Sequence, residues 1–340
     1  MELPAVEHEG YELFKEVFQK NMAEETFIRK HFANPDLLAI PVTTAYNGDR
    51  LVSMQWYLGA QMMCMGKQVL AAQAADTCSS TDARGFPYIK VWRDGNKVLK
   101  AQGCAFRFQT PNQNSFPVVT KLGDAALGNY LLARMDRNQL EEKSPTRSIF
   151  KRTRKHVLTK ASKKIGRDGA VLSRSKTCPF DDSDFSRINS RKDRIFPLRT
   201  PAYMEWKIDG FAREYPRDFT YITIRNSRDE GLMAYCILQA VNANYQEIVD
   251  WFIYPSDQNT QYQLMSMLTL ACFETGDIVV IPFVNPDNEE RCLFESIGYK
   301  MSEIDNFSVQ VYDDECADAL VMSNWALRRM DLDYFLNVYI

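Results

Sequence analysis

The sequence is poor in residues that build metal and disulfide sites. It has only three histidines, His8, His31 and His156, and they lie far apart along the chain. No metal-binding motif is therefore visible. Eight cysteines are widely spaced with no CxxC pair, which predicts buried free thiols and a reducing compartment; they are Cys64, Cys78, Cys104, Cys178, Cys236, Cys272, Cys292 and Cys316.

Long apolar runs and a strong net charge are also missing. No stretch approaches the roughly 20 apolar residues that a membrane-spanning helix needs. The first residues, MELPAVEHEG, lack the basic and apolar regions of a secretory signal. A net charge of −3 gives no overall attraction to nucleic acid or to a membrane. We therefore expect a cytoplasmic protein, and 340 residues favour two domains.

The stretch from residue 68 to 123 contains an ordered set of elements. An apolar, small-residue run ends at Asp76, which is typical of a buried strand that stops at a turn. A helical pattern follows the sequence Arg84-Gly85-Phe86-Pro87 and stops at Gly103. A second strand, 105–109, is broken by TPN, and a short helix then ends at Gly123.

This order, with these residues, resembles the GNAT acetyltransferase superfamily. The family turn (Gln/Arg)-x-x-Gly-x-(Gly/Ala) aligns with RGFPYI at 84–89, and the later family segment PN…S…KLG aligns with residues 111–123. Two departures from the family bear on the chemistry. Pro87 replaces a glycine and removes one N–H donor, although proline suits a first helical turn. Val119 stands where the family often has a tyrosine that protonates the departing thiolate.

The resemblance implies a coenzyme site. Acetyl-CoA, or another acyl-CoA, would be the cosubstrate, with its pyrophosphate at the N-terminus of the helix, where free N–H groups and the helix dipole favour anions. No metal is expected. The predicted coenzyme-binding residues are Thr77, Cys78, Ser79, Arg84, Gly85, Phe86, Tyr88, Ile89 and Asn112.

Two residues are candidates for acid–base chemistry. Asp76, beside Ala74 and Ala75, is interpreted either as a base with a raised pKa or as a turn-capping acid. Tyr88 is interpreted either as the acid that protonates the thiolate or as a core aromatic.

The second half of the chain repeats the pattern of the first. TPNQNS…KLG at 110–123 and VNPDNEE…SIGY at 284–299 hold equivalent places. In the second copy, residues 255–261 contain neither glycine nor arginine, and Phe294 has no hydroxyl. We expect an α/β fold of two GNAT-like domains, each a mostly antiparallel mixed sheet flanked by helices. The expected boundaries are 1–130 for a coenzyme-binding domain, 131–176 for a basic helical linker and 177–340 for a degenerate copy.

Residues 143–176 hold twelve basic residues and a single acid, Asp168. One interpretation is a helical linker whose charges simply face water. The other is a phosphate-rich partner: the coenzyme's 3′-phosphate, a nucleotide-linked sugar or an anionic membrane surface. Nucleic acid is the least favoured partner, because no nucleic-acid-binding module accompanies the run.

Three functional hypotheses follow. The first is an acyl-CoA-dependent N-acyltransferase that acetylates an amine of a small molecule, a sugar or a cell-envelope precursor. The second is a FemAB-like aminoacyl transferase acting on a cell-envelope precursor. The third is a degenerate, non-catalytic binding protein, which the departures at Pro87 and Val119 favour.

Overall fold

The two halves of the chain share one mixed β-sheet. The structure is a computed structural model, and it describes residues 3–19, 22–83, 85–142, 153–210, 218–254 and 256–332. Across these ranges twelve strands form a single sheet with helices on its faces. The expected mixed α/β architecture is confirmed.

The first half begins with two helices and a hairpin, after which a strand, a helix, a strand and a short helix follow in the predicted order. Its elements are α1 (Leu3–Phe18), α2 (Glu24–Phe32), β1 (Val42–Asn47), β2 (Arg50–Cys64), β3 (Lys67–Ser79), α3 (Phe86–Ala101), β4 (Phe106–Gln109), α4 (Phe116–Lys121) and β5 (Ala125–Asp136). Helices α1 and α2 pack on one face of β2 around Trp56, and α3 covers the opposite face around Tyr57.

The second half repeats the hairpin, strand, helix, strand and helix. Its elements are α5 (Arg137–Glu141), α6 (Arg154–Arg167), β6 (Ala170–Ser175), α7 (Asp182–Ile188), β7 (Ile195–Pro197), α8 (Pro201–Met204), β8 (Asp218–Asn226), β9 (Leu232–Ala240), β10 (Tyr245–Ile253), α9 (Gln258–Cys272), β11 (Ile278–Val284), α10 (Glu289–Ile297) and β12 (Lys300–Val311). A π-helical turn follows α8, and short 3₁₀ turns follow β12.

Only part of the expected linker is helical. Residues 131–136 belong to β5 and residues 170–175 to β6, and the helices α5 and α6 lie between them. In β5 the alternating Leu131, Ala133 and Met135 enter the core, which produces a strand despite the charged neighbours. Residues 143–152 lie outside the described part of the chain.

The halves exchange strands at the centre of the sheet. The strand order is β1-β2-β3-β4-β12-β5-β11-β10-β9-β8-β6, and β7 pairs with β2. The last strand of the second half, β12, therefore pairs with β4 of the first half, while β5 of the first half pairs with β11 of the second. Each half completes the sheet of the other, so a boundary near residue 130 cuts hydrogen-bonded strands.

Each half also contains one parallel strand pair crossed by a helix. In the first half β3 and β4 pair only at Ala72↔Arg107 and Gln73↔Phe108. In the second half β10 and β11 pair only between Tyr245↔Ile278 and Glu247↔Val280. Beyond these short contacts the two strands of each pair diverge. Each half therefore has a V-shaped opening in the sheet with a helix N-terminus at its mouth.

Candidate active site

The opening of the first half exposes one edge of β3. From Ala74 to Ser79 this strand pairs with β2 on one side, and no described strand pairs with its other side. Unpaired backbone N–H and C=O groups on a strand edge can bind an extended ligand that carries amide groups. The opening is therefore suited to a linear, amide-containing molecule.

A β-bulge lies in the middle of this edge. The register with β2 shifts between Met54 and Trp56, so that Asp76 and Thr77 lie opposite Gln55 alone. Asp76 has a φ of 39°, which is unusual for a residue other than glycine. Bulges redirect backbone groups away from the regular ladder. The bulge thus interrupts the regular ladder of β3 beside the opening.

Asp76 is held by two side chains of α2. Its Oδ2 lies 2.7 Å from Lys30 Nζ and 2.8 Å from His31 Nε2, and all three side chains are buried. Burial alone would raise the pKa of Asp76, but the charge of Lys30 and the hydrogen bond from His31 outweigh it and hold the pKa well below its usual range. The expectation of a raised pKa is therefore wrong.

His31 is a neutral part of this cluster. Burial lowers its pKa to about 4 despite the neighbouring carboxylate, because a second proton would leave a net positive charge in the interior. Its ring stacks on Trp56 at 4.3 Å between ring centres. We missed Lys30 and His31 in the sequence, although they fall three and four residues after Phe27 on the buried face of α2.

Helix α3 begins at the mouth of the opening without a side-chain cap. Gly85 precedes it with φ 101° and ψ −104°, a conformation that only glycine adopts readily. Phe86 is 76% exposed, and the amide of Ile89 donates to the carbonyl of Gly85 at 3.1 Å. The amides of Gly85, Phe86 and Tyr88 belong to the first turn, where a helix has no partners of its own. Arg84 lies outside the described residues.

Tyr88 is half-buried in that first turn. Burial raises its pKa to about 12, while the charge of Arg107 lowers it and that of Asp124 raises it. The hydroxyl therefore keeps its proton at neutral pH. A protonated hydroxyl at this position can act as a proton donor.

A buried ion pair lies beneath α3. Arg107 donates to Asp124 Oδ1 at 2.5 Å and to Asn96 Oδ1 at 2.8 Å, and its side chain is fully buried. Asp124 Oδ2 accepts from Gln109 at 2.6 Å and from the Ser308 hydroxyl at 3.2 Å. The cluster joins α3, β4, the end of α4 and the exchanged strand β12. We had no sequence signal for it, since its members are spread over 213 positions between Asn96 and Ser308.

Most of the other predicted coenzyme-binding side chains have structural partners. Asn112 Oδ1 accepts from the amides of Asn114 and Ser115 at 3.0 Å, which shapes the turn before α4. Ser79 Oγ lies 2.7 Å from Ser53 Oγ. Cys78 is buried, and burial raises the pKa of its thiol well above the usual value. Thr77, Cys78 and Ser79 therefore offer backbone groups at the opening.

Gln73 lies at the apex, in the last residue pair before β3 and β4 diverge. Its side chain is only 2% exposed, and its Nε2 has no hydrogen-bond partner. An unsatisfied buried amide costs about 1–3 kcal/mol. We did not single out Gln73 in the sequence, where it stands as one polar residue in an alanine-rich strand.

The second half differs from the first at the helix N-terminus beside its opening. The side chain of Asp257 caps α9, with Oδ1 accepting from the amides of Asn259 and Thr260 at 3.0 Å. On β10, beyond its last pair with β11, Asp250 is paired with Arg199 at 2.9 Å, and Arg199 also contacts Asp331 at 2.8 Å. The Asp257 carboxylate thus occupies the N-terminus of α9, whereas α3 of the first half has no side-chain cap.

Val119 in α4 and Phe294 in α10, the two equivalent positions at which the family often has a tyrosine, are core residues. Val119 is buried in α4. Phe294 is buried in α10 and packs edge-on against Trp251 and Tyr299. Neither half therefore places a tyrosine at this position.

Solved structures with the same arrangement identify the fold. A conserved protein of Enterococcus faecalis described as a probable N-acyltransferase aligns over 92% of this chain and 71% of its own, with 13% identity and a TM-score of 0.65. A GCN5-related N-acetyltransferase of Anabaena variabilis aligns over 91% of this chain and 71% of its own, with 13% identity and a TM-score of 0.65. A tandem GNAT protein from the clavulanic acid pathway aligns over 91% of this chain and 95% of its own, with 11% identity and a TM-score of 0.51. The chain has a tandem GNAT fold.

Sequence comparison adds no closer relative to these GNAT structures. No protein-family model matches the sequence, and no curated protein matches it. In the described part of the chain, no group of histidine, cysteine and acidic side chains is arranged to hold a metal ion. No helix among the described residues is long and apolar enough to span a membrane.

Proposed function

We propose that the protein is an acyl-CoA-dependent N-acyltransferase whose first half binds the coenzyme. One observation carries this proposal: of two equivalent openings in a GNAT fold, only the first combines an uncapped helix N-terminus with a free strand edge. In the second half, the carboxylate of Asp257 takes the backbone donors that a phosphate would need.

The first half offers a partner for each part of acyl-CoA. The amides of Gly85, Phe86 and Tyr88 would bind the pyrophosphate at the start of α3. The free edge of β3 from Ala74 to Ser79 would pair with the amides of the pantetheine arm. The unsatisfied amide of Gln73 fits the acyl end, because it lies at the apex of the opening and needs an acceptor.

The chemistry would be direct attack of an amine on the thioester. A carbon–nitrogen bond forms between the neutral amine and the acyl carbon, and the carbon–sulfur bond breaks. The attacking nitrogen loses a proton to solvent, and the departing thiolate takes a proton. N–H groups at the bulge, together with the Gln73 amide, would bind the oxygen on which negative charge develops. Tyr88 is our candidate proton donor. Asp76, held as an anion by Lys30 and His31, would fix the bulge.

An acid-rich cleft at the junction of the halves suits a cationic amine. The cleft has a volume of about 750 Å³, and Asn112 is one of the residues that line it. Three carboxylates, Glu247, Glu303 and Asp305, line it against one cation, Arg329. An acidic site attracts an ammonium group, so we propose that the acceptor binds here.

Glu303→Gln is expected to raise KM for a diamine by a few-fold and to leave acetyl-CoA binding unchanged.

Calorimetric titration with acetyl-CoA tests coenzyme binding. Phe86→Glu places a carboxylate at the exposed first turn of α3, where it favours the helix but repels phosphate. Phe86→Gln is the matched neutral control. We expect Phe86→Glu to bind acetyl-CoA at least about tenfold more weakly than Phe86→Gln, since like charges a few ångströms apart near a surface repel by more than 1 kcal/mol. Equal affinities would place the coenzyme elsewhere.

Turnover separates an enzyme from a binding protein. Release of free thiol from acetyl-CoA in the presence of amines is expected for the wild type and is expected to be lost in Phe86→Glu. Tight binding of acetyl-CoA with no thiol release across a wide amine panel would favour the non-catalytic alternative. No binding of any acyl-CoA, with aminoacyl-tRNA accepted instead, would favour the FemAB-like alternative.

A further inference from the structure

A basic groove lies on the surface of the second half, between α6 and the first turns of α9. Lys160, Lys163, Lys164 and Arg167 are exposed on consecutive turns of α6. They line one groove of about 700 Å³, the volume of a site for a small organic ligand. The opposite wall is formed by Asn259, Tyr262 and Gln263 of α9.

The charge of this groove is uncompensated. Helix α6 contains no acidic residue, and none of its four groove cations has a carboxylate within 4 Å in the described ranges. The first turn of the same helix differs, because Lys155 pairs with Glu141 at 2.8 Å. Lys160 and Lys164, and likewise Lys163 and Arg167, are four residues apart, a spacing at which like charges destabilise a helix.

We infer that this groove binds a soluble phosphate ester carrying two or more phosphate groups. Lysine and arginine form charge-assisted hydrogen bonds with phosphate oxygens. From Lys160 to Arg167 the helix rises about 10 Å, enough for contacts to two or three linked phosphates. Val157, Ala161 and the half-buried Tyr262 add an apolar wall for the organic part of the ligand.

Two other ligands fit less well. A membrane surface is disfavoured because α6 and α9 present no exposed large apolar side chain that would enter a bilayer. The 3′-phosphate of a coenzyme at α3 is too distant. Five strand steps separate β3 from β10, which places the sheet regions under α3 and α9 about 25 Å apart. The groove is therefore independent of the proposed coenzyme site.

Isothermal titration with tripolyphosphate and with ATP tests the inference. The variant is the double substitution Lys160→Gln/Lys164→Gln, and the control is Lys155→Gln, which removes one charge from the same helix outside the groove. Each contact between unit charges about 4 Å apart in water contributes roughly a fivefold factor. We therefore expect about 30-fold weaker binding in the double variant and less than about a twofold change in the control. Both probes should also bind less tightly as salt increases.

The coenzyme cradle is a competing anion site, so each titration is repeated in the Phe86→Glu background. Binding at the groove is expected to persist there and to respond to the Lys160/Lys164 substitutions as before. The inference is overturned if the wild type binds neither probe, or if the double variant and Lys155→Gln weaken binding equally. Sedimentation with phosphatidylserine vesicles but no binding of tripolyphosphate or ATP would also overturn it, in favour of a membrane surface.

Discussion

Replacing Gln73 by methionine should make the protein more stable and less active. Methionine has nearly the same shape as glutamine and brings no hydrogen-bonding amide into the apex of the opening. In the free protein the Nε2 of Gln73 is buried without a partner. Its removal should therefore raise the free energy of unfolding by about 1–2 kcal/mol, the lower part of the range for an unsatisfied buried group.

The effect on catalysis should have the opposite sign. If the Gln73 amide donates a hydrogen bond to the acyl oxygen, that hydrogen bond becomes stronger as negative charge develops on the oxygen. Loss of one such donor typically lowers kcat by about 100-fold or more. The assays are thermal or denaturant unfolding without ligand, and thiol release from acetyl-CoA under the same buffer conditions.

Thr26→Val is the matched control for this pair of measurements. Thr26 is fully buried in α2, and its hydroxyl also lacks a partner, but it lies outside the opening. We expect Thr26→Val to stabilise the protein by a similar amount and to leave turnover within about twofold. If Gln73→Met is stabilising yet keeps full activity, the amide does not contact the acyl group. If it is destabilising, our account of the apex is refuted.

Three further predictions follow from buried charges and caps. Because the pKa of His31 is about 4 in the folded state and about 6.5 when unfolded, the unfolded chain takes up the proton first as pH falls. Unfolding free energy should therefore drop by about 3 kcal/mol between about pH 6.5 and about pH 4 in denaturant titrations, and a flat profile would contradict this. Asp124→Asn leaves Arg107 buried with Asn96 as its neutral partner and should cost about 3–5 kcal/mol, measured by the same unfolding assay. Asp257→Ala should cost about 1 kcal/mol through loss of the α9 cap, measured by the same unfolding assay.

The elements around the proposed coenzyme site were predictable because their signals are local. Glycine and proline at 85 and 87 mark the start of α3, and the predicted 84–103 helix is observed at Phe86–Ala101. The alanine-rich run predicted the buried strand β3, and the Asn-Gly pair at 47–48 is typical of the hairpin turn that joins β1 and β2. These features depend on neighbouring residues alone, and so the sequence contains them.

The strand exchange was not predictable, because a strand pattern does not specify its partner. The alternation in β5 is compatible with pairing inside the first half or across to β11, and the choice depends on the whole sheet. The same limit applies to Asp76. Its local surroundings, two alanines and a turn, indicate desolvation and a raised pKa, whereas the charge that decides the shift comes from Lys30, 46 positions earlier in the chain.

The strand exchange gives the second half a physical role in the proposed site. Ser308, on β12 of the second half, donates to the same carboxylate that pairs with Arg107 beneath α3. Strand β12 also pairs with β4 where β4 leaves β3, so the width of the opening depends on a strand that the second half supplies. The second half, whose helix α9 is capped by Asp257, therefore still shapes the opening of the first. It follows that the first half expressed without β12 would lack one edge of the proposed site.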